Sequence, residues 1–241
     1  MRGTLASLST PVVLLHGFAA TARHWDRVIA TLPAGRFTPI ALNLADAKPL
    51  TPDGVATLVA DAADGPLVLA GYSMGGRLAL HAALAIPQRI ARLVLISTSP
   101  GIEDAGERSA RRAADDALAA QIERGTIDEF VARWRAVPLF AGDPEWVHDE
   151  VEADERRCEP AQLAAALRSL GAGVMAPMWD RLRELRMPVA VVVGADDSAY
   201  EATGRRLAAA IPNATLRVVA GVGHRVALQA PGAVVDALSG T

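Results

Sequence analysis

Residues 71–77, GYSMGGR, place a serine between two glycines in the pattern G-x-S-x-G. This spacing is typical of a strand-to-helix turn that holds the serine in a strained backbone conformation and exposes its hydroxyl group. Glycine at positions 71 and 75 would let the turn close, because glycine carries no Cβ atom. The pattern predicts that Ser73 is a reactive hydroxyl; the alternative is a serine in an ordinary glycine-rich turn.

A reactive serine needs a base, and the base needs an acid that orients it. His224 follows one apolar run in VAGVGHRVALQAP, and Asp197 follows another in VVVGADDSAY. The chain order serine, aspartate, histidine is the order expected for this kind of turn. We select Asp197 because its G-x-x-D spacing from Gly194 places it at the tip of a turn, and Asp196 is the alternative.

Two backbone amides and one cation are predicted beside Ser73. The turn after VVLLHG would supply the backbone amide of Phe18, and Met74, the residue after the serine, would supply a second amide. Together these two amides would form an oxyanion hole. Arg77 follows Ser73 by four residues, so the two side chains share one face if a helix begins at the serine. A guanidinium group in that place would bind a carboxylate.

Six short apolar runs bounded by glycine and proline are predicted to be the strands that position these residues. The runs are continuous rather than alternating, which is typical of strands buried on both faces of a parallel sheet. Alanine- and leucine-rich stretches of helical length separate most of them, so we expect an α/β fold with helices on both faces. The runs are PVVLLHG, FTPIALNL, PLVLAGYS, ARLVLIS, PVAVVVG and ATLRVVAG.

The stretch from residue 100 to about residue 185 carries no strand pattern. Its amphipathic helical segments read as an insertion over the carboxyl edge of the sheet, where open α/β folds bind ligands. We therefore expect a core formed by residues 1–99 and 186–241 and a helical lid formed by residues 100–185. The predicted lid helices cover residues 107–124, 127–135, 144–157 and 160–170.

Composition excludes several classes of function. The 241 residues carry a net charge of −3 and are 51% hydrophobic, which fits one α/β domain with a lid and gives no basic surface for nucleic acid. The single cysteine, Cys158, excludes an intrachain disulfide and is expected to be unreactive. No metal-ligand spacing or phosphate-binding loop is visible, so we expect no cofactor. The absence of a signal-like or membrane-spanning run predicts a cytoplasmic protein that does not bind membranes.

At the quoted motifs the chain resembles the α/β-hydrolase superfamily, with LLHGF, GYSMGGR, GADDSAY and VGHRVALQAP carrying the likeness over nearly the whole length. More narrowly, it resembles the synthases of menaquinone biosynthesis that form 2-succinyl-6-hydroxy-2,4-cyclohexadiene-1-carboxylate (SHCHC). That likeness rests on GYSMGGRLAL and on three lid segments: STSPGIEDAGERSARRAADD, FVARWRAVPLF and GAGVMAPMWDRLREL.

The narrower resemblance implies a lyase that eliminates pyruvate from an enolpyruvyl cyclohexene polycarboxylate. In such an enzyme Ser73, Asp197 and His224 would act as the base, and the expected partner is a small anionic substrate. The residues that the resemblance places in the substrate site are Tyr72, Arg77, Arg111, Trp134 and one of Arg156 and Arg157. The alternative is a serine hydrolase of a small ester, thioester or carbon-carbon bond, in which Ser73 is a nucleophile.

Two of these residues also fit ordinary structural roles. Arg111 has Asp115 four residues later, so the two side chains could form a solvent-exposed helix pair. Trp134 could pack on Phe130 within the lid.

Overall fold

One six-stranded sheet forms the centre of the molecule in a computed structural model that describes residues 9–241. The strand order is β2-β1-β3-β4-β5-β6, and all the pairings described are parallel, which confirms the predicted α/β-hydrolase fold with a mostly parallel sheet. The strands are β1 (Thr10–Leu15), β2 (Phe37–Leu42), β3 (Leu67–Tyr72), β4 (Ile90–Ile96), β5 (Val189–Gly194) and β6 (Ala214–Val219).

Helices connect the strands and cover the sheet. Within the described chain none of them combines the length and hydropathy that crossing a membrane requires. The helices are α1 (Asp26–Thr31), α2 (Pro52–Asp61), α3 (Met74–Ala85), α4 (Ala105–Arg124), α5 (Ile127–Arg135), α6 (Glu145–Glu155), α7 (Pro160–Leu170), α8 (Ser198–Ala210), α9 (Val226–Gln229) and α10 (Pro231–Ser239).

The sheet is buried on both faces, as its continuous apolar runs predict. Successive residues of each strand point to opposite faces. On β1, Val13 and Leu15 pack with helices α2 and α3, whereas Val12 and Leu14 pack with α1 and α10. Removal of this apolar surface from water is the main stabilising contribution to the core.

Helices α4 to α7 lie between β4 and β5 and form the lid. Helix α4 begins two residues earlier than predicted, because the side chain of Asp104 accepts a hydrogen bond from the Glu107 amide at 2.8 Å and caps the helix at residue 104. Helices α5 and α7 have the predicted bounds, and α6 ends at Glu155 rather than at residue 157. The lid has an apolar cluster of its own, which includes Phe130 and Leu167 and packs against Phe18 of the core.

Candidate active site

The turn between β3 and α3 holds Ser73 in a strained conformation. Ser73 has φ 52° and ψ −115°, a positive φ that costs a non-glycine residue about 1–3 kcal/mol. The Ser73 amide donates to the carbonyl of Ile96 at 2.9 Å, and the Thr98 hydroxyl donates to the Ser73 carbonyl at 2.7 Å. These bonds to the neighbouring strand and its following loop hold the serine at the carboxyl edge of the sheet.

Both predicted glycines of this turn are required for steric reasons. A Cβ atom on Gly71 would lie 2.3 Å from the carbonyl oxygen of Gly75, and one on Gly75 would lie 2.3 Å from the carbonyl oxygens of Leu15 and His16. The turn therefore packs directly against the end of β1, where only a residue without a side chain fits.

Ser73, His224 and Asp197 form a hydrogen-bonded chain. His224 Nδ1 lies 2.6 Å from Asp197 Oδ2, and His224 Nε2 lies 3.2 Å from Ser73 Oγ. The carboxylate can only accept, so Nδ1 carries the proton and Nε2 is left to accept from the serine hydroxyl. His224 and Asp197 are buried, whereas Asp196 is exposed. The structure thus brings Asp197, the residue chosen from the sequence, into contact with the imidazole.

The loop after β1 lies against the Ser73 turn and is braced by His16. The Leu44 amide donates to His16 Nε2 at 3.1 Å, and His16 Nδ1 donates to the Gly17 carbonyl at 2.7 Å. Burial lowers the pKa of His16, which keeps the ring neutral in this role. Within residues 9–241 the Phe18 and Met74 amides donate to no acceptor. Both amides are therefore available to a ligand oxygen, as the oxyanion-hole prediction requires.

A cavity of about 530 Å³ opens above Ser73, between the sheet and the lid. Its wall contains aromatic, charged and aliphatic residues. The aromatic residues are Phe18, Tyr72, Trp134, Phe140 and Tyr200, and the charged or reactive ones are Ser73, Arg77, Arg111, Asp115 and His224.

Arg77 lies in this cavity wall and is 6% exposed. Its Nη2 donates to the carbonyl of Leu170 at 3.2 Å, and its Nε lies 3.3 Å from Met175 Sδ. No carboxylate in the described chain forms an ion pair with it, and burial lowers its pKa to about 10. Arg77 is thus a cation at neutral pH that has been removed from water without an acidic partner.

Arg111 lines the same cavity on α4 and also forms the pair that its spacing allows. Its Nε donates to Asp115 Oδ1 at 2.8 Å, and its side chain is 50% exposed whereas that of Asp115 is 6% exposed. The second oxygen of Asp115 is buried and has no hydrogen-bond partner. Arg111 is therefore paired on the helix and also lines the cavity, and its role toward a substrate stays a prediction.

Tyr72 and Trp134 both contribute aromatic surface to the cavity. The Tyr72 ring is stacked on His24 with 4.6 Å between ring centres, and burial raises its pKa. Trp134 stacks on Phe130 at 5.7 Å and meets Phe18 edge-on at 5.2 Å. Trp134 thus has the packing role that its sequence position allows and lines the cavity as well.

The prediction that Arg156 faces this cavity is wrong, whereas Arg157 lines an adjoining cavity. Arg156 is the C-cap of α6, and its side chain turns to the surface, where Nε donates to Asp128 at 2.9 Å and Nη2 to Glu152 at 3.1 Å. Arg157 lines a cavity that shares Phe18 and Met74 with the cavity above Ser73, so its place in the substrate site stays a prediction.

Sequence reasoning did not assign Tyr200, Phe140 and Asp115 to the site. Tyr200 lies in the first turn of α8, with its ring centre 4.5 Å from that of His224, and burial raises its pKa. Its position three residues after Asp197 is the signal that could have found it. Phe140 and Asp115 reach the cavity from the lid, and nothing local in the sequence indicates which face of the lid meets the sheet.

Two other expectations concern reactive and metal-binding groups. Burial raises the pKa of Cys158 to about 12, so its thiol stays protonated, as expected of an unreactive cysteine. In the part of the chain that the structure describes, no group of three or more histidine, cysteine, aspartate or glutamate residues could hold a metal ion.

The sequence and the fold match known proteins over nearly the whole chain. The Alpha/beta hydrolase family matches residues 12–237. A Bacillus subtilis (strain 168) protein, provisionally named as an SHCHC synthase, is 32% identical over 237 residues, covering 92% of this chain and 86% of the relative. An SHCHC synthase from Klebsiella pneumoniae is 28% identical over 238 residues, covering 95% of this chain and 92% of the relative.

The solved structure of MenH from S. aureus superposes on this chain with a TM-score of 0.89 at 28% sequence identity. The match covers 98% of this chain and 94% of that one. The likeness therefore includes the lid as well as the sheet.

Proposed function

The chain belongs to the α/β-hydrolase family, and from that premise we propose that it is a lyase of the SHCHC synthase type. It would eliminate pyruvate from an enolpyruvyl cyclohexene polycarboxylate in menaquinone biosynthesis. The names of the relatives support this reaction. The structural observation that carries the proposal is the buried guanidinium of Arg77 in the cavity wall beside Ser73.

A buried cation without an acidic partner is costly, and an anionic ligand removes most of that cost. A neutral ester would leave Arg77 unpaired, whereas a carboxylate could accept two parallel hydrogen bonds from its fork. Arg111 offers a second guanidinium to the same cavity, although Asp115 holds part of its charge. The cavity is therefore suited to a substrate with more than one carboxylate.

In the proposed reaction Ser73 acts as a base. Its hydroxyl donates to His224 Nε2, and the carboxylate of Asp197 stabilises the imidazolium that forms when the ring accepts that proton. Ser73 Oγ takes a proton from a ring carbon, and the electron pair of that C–H bond forms a new ring double bond. The bond from the ring to the enol ether oxygen breaks, and the leaving enolate becomes pyruvate when its methylene carbon is protonated. No water is consumed.

The other residues of the cavity have distinct roles in the proposed reaction. The Phe18 and Met74 amides would stabilise negative charge on a carbonyl oxygen conjugated to the reacting carbon. The aromatic wall, including Trp134 and Phe140, would exclude water and pack on the ring of the substrate. Arg77 and Arg111 would orient the carboxylates, so that the C–H bond points at Ser73.

The test is elimination assayed in water labelled with oxygen-18. We expect the conjugated cyclohexadiene and one pyruvate for each substrate consumed, with no label entering either product during turnover beyond the exchange measured for pyruvate alone. Ser73→Ala should abolish both products. Failure to form diene and pyruvate at high enzyme concentration would refute the proposal. A burst of p-nitrophenol from p-nitrophenyl acetate that disappears in Ser73→Ala would then identify a hydrolase.

A further inference from the structure

A buried ion pair joins the lid to the loop that carries His224. Arg225 follows His224 directly and is 4% exposed. Its Nη1 donates to Asp143 Oδ2 at 2.6 Å, and Gln229 Nε2 donates to the other oxygen of Asp143 at 2.7 Å. Arg225 and Gln229 belong to the core, whereas Asp143 immediately precedes Pro144 and α6 of the lid. The pair therefore crosses the boundary between lid and core within one residue of the imidazole.

Two further lid residues contact the guanidinium of Arg225. Its Cζ lies 3.8 Å from the ring centre of Phe140, which lines the cavity and has its own ring centre 6.1 Å from that of His224. Glu155 Oε1 lies 4.0 Å from Arg225 Nη2. Burial raises the pKa of Glu155 to about 8, so at neutral pH Asp143 is the acid that balances the charge of Arg225.

A buried ion pair of this kind adds little to the free energy of unfolding. The cost of removing two charges from water cancels most of their attraction, and apolar residues of the same volume are often as stable. The ion pair instead fixes the geometry. If Arg225 and Asp143 separate, each leaves an unpaired charge buried in the protein, so the folded state is favoured only when the two are in contact. Lid residues 140–155 and the His224 loop are therefore held in one arrangement.

We infer that Arg225 is a positioning residue: through Asp143 it couples docking of the lid to placement of His224 against Ser73. Arg225 touches neither the cavity nor Ser73, and it acts through its neighbour in the chain. The inference rests on the proposed proton transfer between Ser73 and His224.

The ion pair also favours the positively charged imidazolium that forms when His224 accepts a proton. An unbalanced guanidinium beside the ring would disfavour the imidazolium, and Asp143 offsets that repulsion. The other titratable groups that face His224 are Asp197 at Nδ1, Ser73 at Nε2 and the Tyr72 and Tyr200 rings at 5.3 and 4.5 Å, with His24 stacked behind Tyr72. None of these groups changes when Asp143 is substituted. Glu155 also faces Arg225 at 4.0 Å, so the same substitution made together with Glu155→Gln shows whether the pH shift reports on Arg225 alone.

The experiment measures the rate at which a fluorophosphonate probe labels Ser73 as a function of pH, in the intact chain and below the ionisation of Glu155. This reaction needs an activated serine but no elimination. The variants are Asp143→Asn, the double variant Asp143→Asn with Arg225→Met, and Arg135→Met as control. Arg135 binds Glu145 and Glu152, so its ion pairs lie wholly within the lid. Ser73→Ala gives the background.

We expect Asp143→Asn to move the labelling midpoint down by about one pH unit, because Arg225 keeps its charge and opposes the imidazolium. The double variant should return to the wild-type midpoint but reach a plateau rate several-fold lower, because the link to the lid is gone. Arg135→Met should match wild type in both respects.

An unchanged midpoint in Asp143→Asn, or an equal shift in the double variant, would overturn the inference. If Asp143→Asn does not fold, the double variant decides alone, and a plateau equal to that of wild type refutes the coupling. Wild-type protein that labels no faster than Ser73→Ala would refute the proposed activation of Ser73 and this inference together. Normal labelling without pyruvate formation would refute only the proposed elimination.

Discussion

The guanidinium of Arg77 donates to the backbone carbonyl of Leu170 at 3.2 Å, which joins the first turns of α3 to the last residue of α7. A neutral carbonyl satisfies one N–H group but does not balance the charge. Burial lowers the pKa of Arg77 to about 10, so the residue stays cationic at neutral pH. The lid thus closes over a charged group that still has capacity for an anion.

Arg77→Met should therefore separate substrate binding from stability. We expect KM for the anionic substrate to rise at least about tenfold, because the variant loses one or more charge-assisted hydrogen bonds to the substrate. The free energy of unfolding should stay unchanged or increase, because the variant buries no unpaired charge. Steady-state kinetics and urea unfolding measure the two quantities.

Arg168→Met is the matched control for this substitution. Arg168 is a lid arginine on α7 that pairs with Glu123 at the surface. Its loss should leave KM within about twofold of wild type, since Arg168 does not line the cavity above Ser73. An equal change in KM for both variants would show that Arg77 does not bind the substrate directly.

Asp197→Asn tests which acid orients His224. An amide can donate its N–H to the ring and favour the wrong tautomer, so kcat should fall by about 10³- to 10⁴-fold while KM changes little. Asp196→Asn alters the adjacent, exposed residue and should leave kcat within about twofold. A comparable loss in both variants, or in Asp196→Asn alone, would contradict the assignment drawn from the 2.6 Å contact between Asp197 and His224.

Local patterns in the sequence were sufficient to predict the sheet and to predict that Asp197 and His224 lie close to Ser73. Continuous apolar runs identify strands buried on both faces, and the serine turn, the G-x-x-D turn and the histidine loop each follow such a run. Because parallel strands end at the same edge, these three residues had to meet there. The amphipathic patterns of α5 and α7 were sufficient to predict the first and last residues of both helices.

Contacts between the lid and the core could not be predicted in the same way. The partners of Arg77 lie 93 and 98 residues later in the chain, and Arg225 meets Asp143 82 residues earlier. Arg156 was misassigned because its side chain pairs with Glu152 one helical turn earlier and with Asp128, 28 residues away, at the surface. In a lid rich in charge, spacing alone does not show which acid an arginine will meet.

Gly75→Ala should destabilise the fold at the serine turn. The added Cβ would lie 2.3 Å from two backbone carbonyl oxygens at the end of β1, and neither can move without disturbing the sheet. We expect a loss of about 1–3 kcal/mol or more in the free energy of unfolding. Gly232→Ala is the control, because a Cβ there meets nothing within 4 Å and alanine is the better helix former on α10. Equal stabilities would contradict the packing of the turn.

Glu155 should make stability fall as pH rises. Burial raises its pKa from 4.5 to about 8 in the folded chain, whereas the unfolded chain keeps the ordinary value. Between these two pH values the folded state holds a proton that the unfolded state has released. The free energy of unfolding should therefore decrease through this window, by on the order of 1 kcal/mol per pH unit, and level off above it.

Urea unfolding at a series of pH values measures this dependence, and Glu155→Gln should remove most of the slope because its amide does not ionise. Glu145→Gln is the control, since it removes an exposed acid on the same helix. Arg225 lies 4.0 Å from the carboxyl group and favours its ionised form, so in Arg225→Met the decrease should continue to higher pH than in wild type, because that attraction is lost. A slope that is the same in wild type and Glu155→Gln would mean that Glu155 is ionised in the folded chain at neutral pH. Arg225 would then hold two charged acids rather than one.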